Sequence, residues 1–175
     1  MLMAAVAFTA GCGGEKKSDK KVLKVGMECA YAPYNWSQTK ADGGAVKIAG
    51  SNEYAYGYDV MMAKKLADSM GADLEIHKIE WDGLAPAVVS GKIDAAIAGM
   101  SITSKRKETV DFTKPYYYAT VVALVKKDSE QAKAQSVADL KGSVATSQLN
   151  TIWYDQIDQV PDVKKLPAID TVPGM

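Results

Sequence analysis

Short apolar runs alternate with amphipathic stretches along this chain, and that alternation sets the expected order of elements. Residues 22–27 (Val-Leu-Lys-Val-Gly-Met) read as a first strand, with Leu23 and Val25 on one face. Residues 45–48 alternate apolar and polar directly after Asp42-Gly43-Gly44, a hairpin signal. Val60, Ala63, Leu66, Ala67 and Met70 fall on one helical face ended by Gly71, so an amphipathic helix capped by Asp59 is predicted. Residues 73–79 predict a second strand with Leu74 and Ile76 inward, and Trp81 closes it. Asp82 is placed to cap a helix running to Ser90, with Pro86 tolerated near its first turn. Residues 93–98 form an apolar run broken only by Asp94 and bounded by Gly91 and Gly99, which suits a buried parallel strand. Beyond it, residues 120–125 are β-rich and Ser136 caps a brief helix to Gly142. Residues 143–147 then read as a strand, and Asn150 caps a helix to about Gln159, before Pro161. The order β-α-β-α-β predicts an α/β fold around a parallel sheet.

Candidate chemistry sits just past the predicted strands. Ser101, Thr103, Ser104 and Arg106 follow residues 93–98, and Thr103 can cap a short helix that holds Arg106 in its first turn. In open α/β sheets, ligands bind beyond the carboxyl ends of the strands. A hydroxyl, free amides and a guanidinium collected there suit a small carboxylate, which arginine grips with two parallel hydrogen bonds. Three loops, each after a strand, carry Glu28 and Tyr31, then Trp81, then Ser101 and Arg106. Parallel neighbouring strands would bring them to one edge. Two aromatics there can hold an aliphatic or cationic side chain by area and cation–π attraction.

Composition narrows the field. With 47% hydrophobic and 24% charged residues the chain is globular in character. Its 21 basic and 21 acidic residues give zero formal net charge, which draws it neither to nucleic acid nor to an anionic membrane surface. The single histidine, His77, is expected on the outer side of a strand without partners, and no metal or cofactor site is expected. Ser101 lies in Gly-Met-Ser-Ile-Thr with no histidine in sequence nearby to act as its base, and Gly43-Gly44 lacks the lysine of a phosphate loop. Catalysis has no positive support in these patterns.

The run Gly91-Lys-Ile-Asp-Ala, then Ala-Gly99-Met-Ser-Ile-Thr, Arg106 and residues 110–117 (Val-Asp-Phe-Thr-Lys-Pro-Tyr-Tyr) closely resembles the extracellular solute-binding proteins of family 3. These are the polar amino-acid receptors of ABC importers. Matching segments at residues 23–26, 30–33, 57–60 and 81–84 keep the family's order and spacing. The resemblance implies a periplasmic-binding-protein-like type II fold, with two lobes of parallel sheet closing on ligand by hinge motion. The first lobe is expected at residues 22–118, and a hinge crossing with the start of the second at 119–175. It also implies roles: the Gly99 carbonyl and Ser101 hydroxyl for the ligand's ammonium, and Arg106 with the Ser101 amide for its carboxylate. Tyr31 and Trp81 would flank the side chain, and Glu28 would read it as an acidic residue, favouring a basic or amide group. Asn150 and Thr151 match the second-lobe loop that adds an amide to the carboxylate, although Leu149 stands where the family often has glycine. Tyr116 to Tyr118 are expected to pack the lobes at the hinge.

The two ends carry further expectations. Residues 1–12 form a short apolar run ending in Ala10-Gly11-Cys12, similar to a bacterial lipobox, and residues 13–21 are polar and lysine-rich like a flexible tether. The implied protein is a monomer outside the cytoplasm, anchored by lipid on Cys12 and delivering its amino acid to an ABC transporter permease. Against the family's path, the chain stops before the returning segment, so a C-terminally truncated second lobe is expected. That lobe would hold one convincing strand and pack loosely beyond about Lys126. The rival reading is a dehydratase-type enzyme using the same cleft, with Glu28 as its acid.

Overall fold

The computed structural model describes residues 20–175. Its centre is a three-stranded parallel sheet in which β1 (Val22–Met27) lies between β6 (Asp73–Lys78) and β7 (Ala95–Ala96). A second, antiparallel sheet comes from short strands between them in sequence: β2 (Ala30–Tyr31), β3 (Asn35–Gln38), β4 (Val46–Lys47) and β5 (Tyr54–Tyr56). Its order is β2-β3-β5-β4, so β5 intervenes between β3 and β4. The Asp42-Gly43-Gly44 turn therefore joins two strands that do not pair, and the predicted hairpin is corrected to β4 with β5.

Being central, β1 is buried on both faces: Val25 and Met27 are inaccessible, as is Ile76 beside them on β6. Helix α1 (Tyr58–Met70) covers one face, and Val60, Ala63 and Ala67 meet the core. The small alanines let the helix approach closely, while Leu66 and Met70 on the predicted stripe turn out exposed. Gly71 takes a left-handed conformation (φ 62°) and its N–H closes the helix onto Ala67 and Asp68 carbonyls. Asp59 does not cap this helix. Gly57 holds that position at φ 124°, where a Cβ would stand 2.3 Å from the Tyr34 carbonyl oxygen. Asp59 instead turns inward, fully buried.

Helix α2 (Leu84–Val89) buries Leu84 and Ala87, and is preceded by a 3-10 turn over Trp81–Gly83 that starts after Glu80, with no side-chain cap from Asp82. The third strand is shorter than the apolar run of residues 93–98 suggests. It begins only after Asp94, whose carboxylate accepts the Lys24 N–H at 2.8 Å. His77 is not solitary: its Nε2 lies 2.6 Å from Glu75 Oε1.

After α3 (Ser104–Lys107) the chain runs extended, and residues 120–125 form no strand; Leu124 is fully exposed. A capping box at Ser136 and Asp139 opens the 3-10 turn Val137–Leu140. The last part contains β8 (Val144–Ala145), α4 (Ile152–Gln156) and β9 (Lys164–Lys165). Strand β8 pairs in parallel with β9, so the expectation of one lone strand here is corrected. Among the described residues no helix is long and apolar enough to cross a membrane. The lipobox-like run with Cys12, and the tether up to residue 19, lie outside the described residues.

Candidate functional site

The parallel order places the ends of β1, β6 and β7 at one edge, and each sends its next loop there. Thr103 fixes the loop after β7. Its Oγ1 accepts the Arg106 N–H at 3.1 Å and caps α3. The Arg106 side chain is thereby aimed across the edge: Nη1 donates to the Ser101 carbonyl at 2.7 Å and Nη2 to the Asn150 carbonyl at 2.9 Å. Its guanidinium carbon lies 5.4 Å from the Trp81 ring centroid, within cation–π reach. Burial pushes the Arg106 pKa down while Asp155 opposes, and the group stays charged. Among the described residues Arg106 makes no ion pair.

The loop that closes over this edge comes from the far end of the chain. Thr151, not Asn150, caps α4: its Oγ1 accepts the Tyr154 N–H at 3.2 Å and donates to the Gln148 carbonyl at 2.7 Å. Asn150 sits just before, at a left-handed φ of 55°. Its carbonyl accepts from Trp81 Nε1 at 3.3 Å as well as from Arg106. The group this loop offers Arg106 is therefore a carbonyl.

Glu28 is 5% exposed. Its two carboxylate oxygens accept from Gln148 Nε2 at 3.0 and 3.1 Å, and the same nitrogen lies 3.1 Å from the Asp170 carbonyl. Burial pushes the Glu28 pKa up, the Gln148 amide opposes this, and Glu80 adds to it. Tyr31 packs on Tyr34 and Trp153, with ring centroids 4.9 and 6.0 Å away. Gly99 is left-handed (φ 64°), and a Cβ there would stand 3.3 Å from the Tyr31 ring.

Five predicted residues, Trp81, Gly99, Ser101, Arg106 and Thr151, surround one space with Ile152 and Trp153. That space measures ≈ 10 Å³, about room for one water. Glu28, Tyr31 and Asn150 stand outside its lining. A larger cleft of ≈ 230 Å³ shares Trp81 and is lined by Glu80, Asp82, Leu149 and Asp170. Size and chemistry thus point to adjoining places. The guanidinium faces the narrow space, and the wider cleft carries three carboxylates, Glu80, Asp82 and Asp170.

Sequence reasoning missed Gln148, Trp153 and the part played by Tyr116. Trp153 lies in the first turn after a Thr cap, so naming Thr151 as the cap would have placed it facing the site. A glutamine in a polar loop gives no signal, because only the fold brings residue 148 to residue 28.

A parallel sheet whose strand ends meet a partly desolvated arginine, closed over by a loop from a second αβ segment, has the periplasmic-binding-protein-like type II fold. The chain belongs to the bacterial extracellular solute-binding proteins, family 3, whose profile matches residues 23–165. It is 32% identical over 160 residues to the arginine-binding extracellular protein ArtP of Bacillus subtilis, covering 89% of this chain and 56% of that one. It is 31% identical to the ABC transporter arginine-binding protein 1 of Escherichia coli, covering 94% of this chain and 60% of that one. Among solved structures it matches an ancestral amino-acid-binding protein described as a precursor of cyclohexadienyl dehydratase. The TM-score is 0.72 at 32% identity, over 87% of this chain and 63% of that one. Arginine-bound truncated ArgBP of T. maritima gives a TM-score of 0.70 at 29% identity, over 87% and 66% respectively. The chain spans roughly half to three-fifths of the length of the curated relatives it matches.

Proposed function

We propose that this chain captures a polar L-amino acid outside the cytoplasm and passes it to an ABC transporter permease, by hinged closure without covalent chemistry. The observation that carries the reading is Arg106: a charged, partly desolvated guanidinium at the strand edge with two carbonyls and no carboxylate on it. A ligand carboxylate is the group such a site lacks. Arg106 and the Ser101 amide take the carboxylate, and the Gly99 carbonyl and Ser101 hydroxyl take the ammonium. Tyr31 and Trp81 flank the side chain, and the Asn150–Thr151 loop closes over the ligand. Glu28, with the acidic cleft of Glu80, Asp82 and Asp170, favours a basic side chain. The protein acts as a monomer, held to the membrane by lipid on Cys12.

Charge-assisted bonds contribute about 1.5–3 kcal/mol each. Two or three of them with an aromatic clamp reach the roughly −8 kcal/mol of a micromolar site. Calorimetric titration with the twenty L-amino acids is the test, run on the wild type and on Arg106→Ala. One or more polar amino acids should bind the wild type, and the variant should lose at least roughly a hundredfold, about 2.7 kcal/mol. Equal affinity in the two proteins would reject the site. Turnover of arogenate would place the chain with the dehydratases instead.

A further inference from the structure

A chain of hydrogen bonds, buried at Asn35 and Asp59 and open to solvent at Gly99, ties together two of the loops that build the site. The Cys29 N–H, next to Glu28, donates to Asn35 Oδ1 at 2.8 Å, and Asn35 Nδ2 donates to Asp59 Oδ2 at 2.7 Å. From the other side, the Gly99 N–H donates to the Tyr116 hydroxyl oxygen at 3.0 Å, and that hydroxyl donates to Asp59 Oδ1 at 2.9 Å. Asn35 and Asp59 are fully buried. The direction of every proton follows from the donors at the two ends. Backbone N–H groups can only donate, so Asn35 must present its oxygen to Cys29 and its NH2 to Asp59. Tyr116, accepting from Gly99, has its own proton left for Asp59. One carboxylate thus anchors two loops through two intermediaries, and it accepts at both oxygens as an ionised acid does.

Tyr116 is the member of this chain that also belongs to the segment leaving the first lobe. Its ring packs against the core, and its carbonyl accepts the Tyr58 hydroxyl at 3.1 Å. Gly99 lines the space around Arg106 and needs its left-handed φ of 64°. We propose that Tyr116 is a positioning residue, whose hydroxyl locks the Gly99 peptide to Asp59 and so sets the geometry in which a ligand's ammonium is met. The ligand half of this inference rests on the amino-acid reading above; the hold on Gly99 does not.

The test is Tyr116→Phe, which keeps the ring and its packing, beside Tyr117→Phe, which removes a neighbouring hydroxyl that does not touch Gly99. Amide exchange at Gly99 should speed up roughly tenfold in Tyr116→Phe and stay unchanged in Tyr117→Phe, with exchange in β1 the same in both. L-arginine should bind Tyr116→Phe about fivefold to tenfold more weakly, as expected for one lost hydrogen bond. Its desamino counterpart, 5-guanidinopentanoate, should bind wild type and variant alike, because it has no ammonium to place. Unchanged Gly99 exchange would overturn the inference, as would an equal loss for the two ligands or an equal effect of Tyr117→Phe. Should wild type bind no amino acid at all, the proposed function fails. The Gly99 exchange rate alone then decides the role of Tyr116: faster supports it, unchanged overturns it.

Discussion

Replacing Gln148 by Leu isolates the contact that joins the two ends of the chain. The side chains are similar in volume, so the change removes hydrogen bonds more than packing. Gln148 is 2% exposed, and its Nε2 serves Glu28 Oε1, Glu28 Oε2 and the Asp170 carbonyl at 3.0, 3.1 and 3.1 Å. Without it a carboxylate that is 5% exposed keeps no hydrogen-bond partner among the described side chains. Breaking a buried charged contact from one side costs about 3–5 kcal/mol when the charge cannot relax. Glu28 can relax by taking a proton, so about 3 kcal/mol at pH 7.5 is the expected loss, or roughly 6–12 °C in Tm. The pH dependence is the sharper signature. Burial already holds the Glu28 pKa above its ordinary 4.5, against the Gln148 amide, so removing that amide raises it further. A group whose pKa is higher in the folded chain contributes stability that is present below the unfolded value and lost as pH rises through the folded one. The Tm deficit of Gln148→Leu should therefore be largest near pH 7.5 and shrink as pH falls towards 5. Adding Glu28→Gln removes the orphaned charge and should restore most of the lost stability. A deficit that is the same at both pH values, or that survives in the double variant, would refute the reasoning.

Glu28→Gln alone should weaken binding of basic amino acids more than of neutral ones, measured by thermal shift across a ligand panel. An equal loss for every ligand would mark Glu28 as purely structural. Cys12→Ser should move the protein from the membrane to the soluble fraction of its host; continued need for detergent would place any anchor elsewhere.

What was legible in the sequence was local. A Thr three residues before Arg106 announces its own cap, and the apolar run before it announces a strand edge, so that half of the site followed from adjacent residues. Gly71 ends α1 as read, because a left-handed glycine after an apolar stripe has one common use. The errors arose where a long-range partner outbid a local rule. Asp59 has the composition of a helix cap, but the buried Asn35 and the half-buried Tyr116 donate to it and hold it inward. Asn150 and Thr151 are both acceptable caps, and the choice fell to Thr151 because the Asn150 carbonyl is drawn to Arg106 and Trp81. The β-rich composition of residues 120–125 predicted a strand, yet a strand needs a neighbour, and these residues pair with none of those described.

The contact between Arg106 and Asn150 bears on how a ligand would enter. In this closed arrangement the guanidinium is satisfied by two neutral carbonyls, and the space beside it holds about one water. An amino acid cannot enter until the loop of residues 149–151 moves away. Opening forfeits the Asn150 bonds to Arg106 and Trp81, of which the first is charge-assisted and the second, at 3.3 Å, is long and weak. A ligand carboxylate would replace a neutral acceptor with an ionised one that can bind in two parallel bonds, so the exchange is downhill at Arg106. Water would also satisfy an opened Arg106, but it offers neither the charge nor the fixed fork. On the proposed reading, the Asn150 carbonyl is a weak internal substitute that keeps the arginine oriented, and a ligand bringing a full carboxylate would displace it.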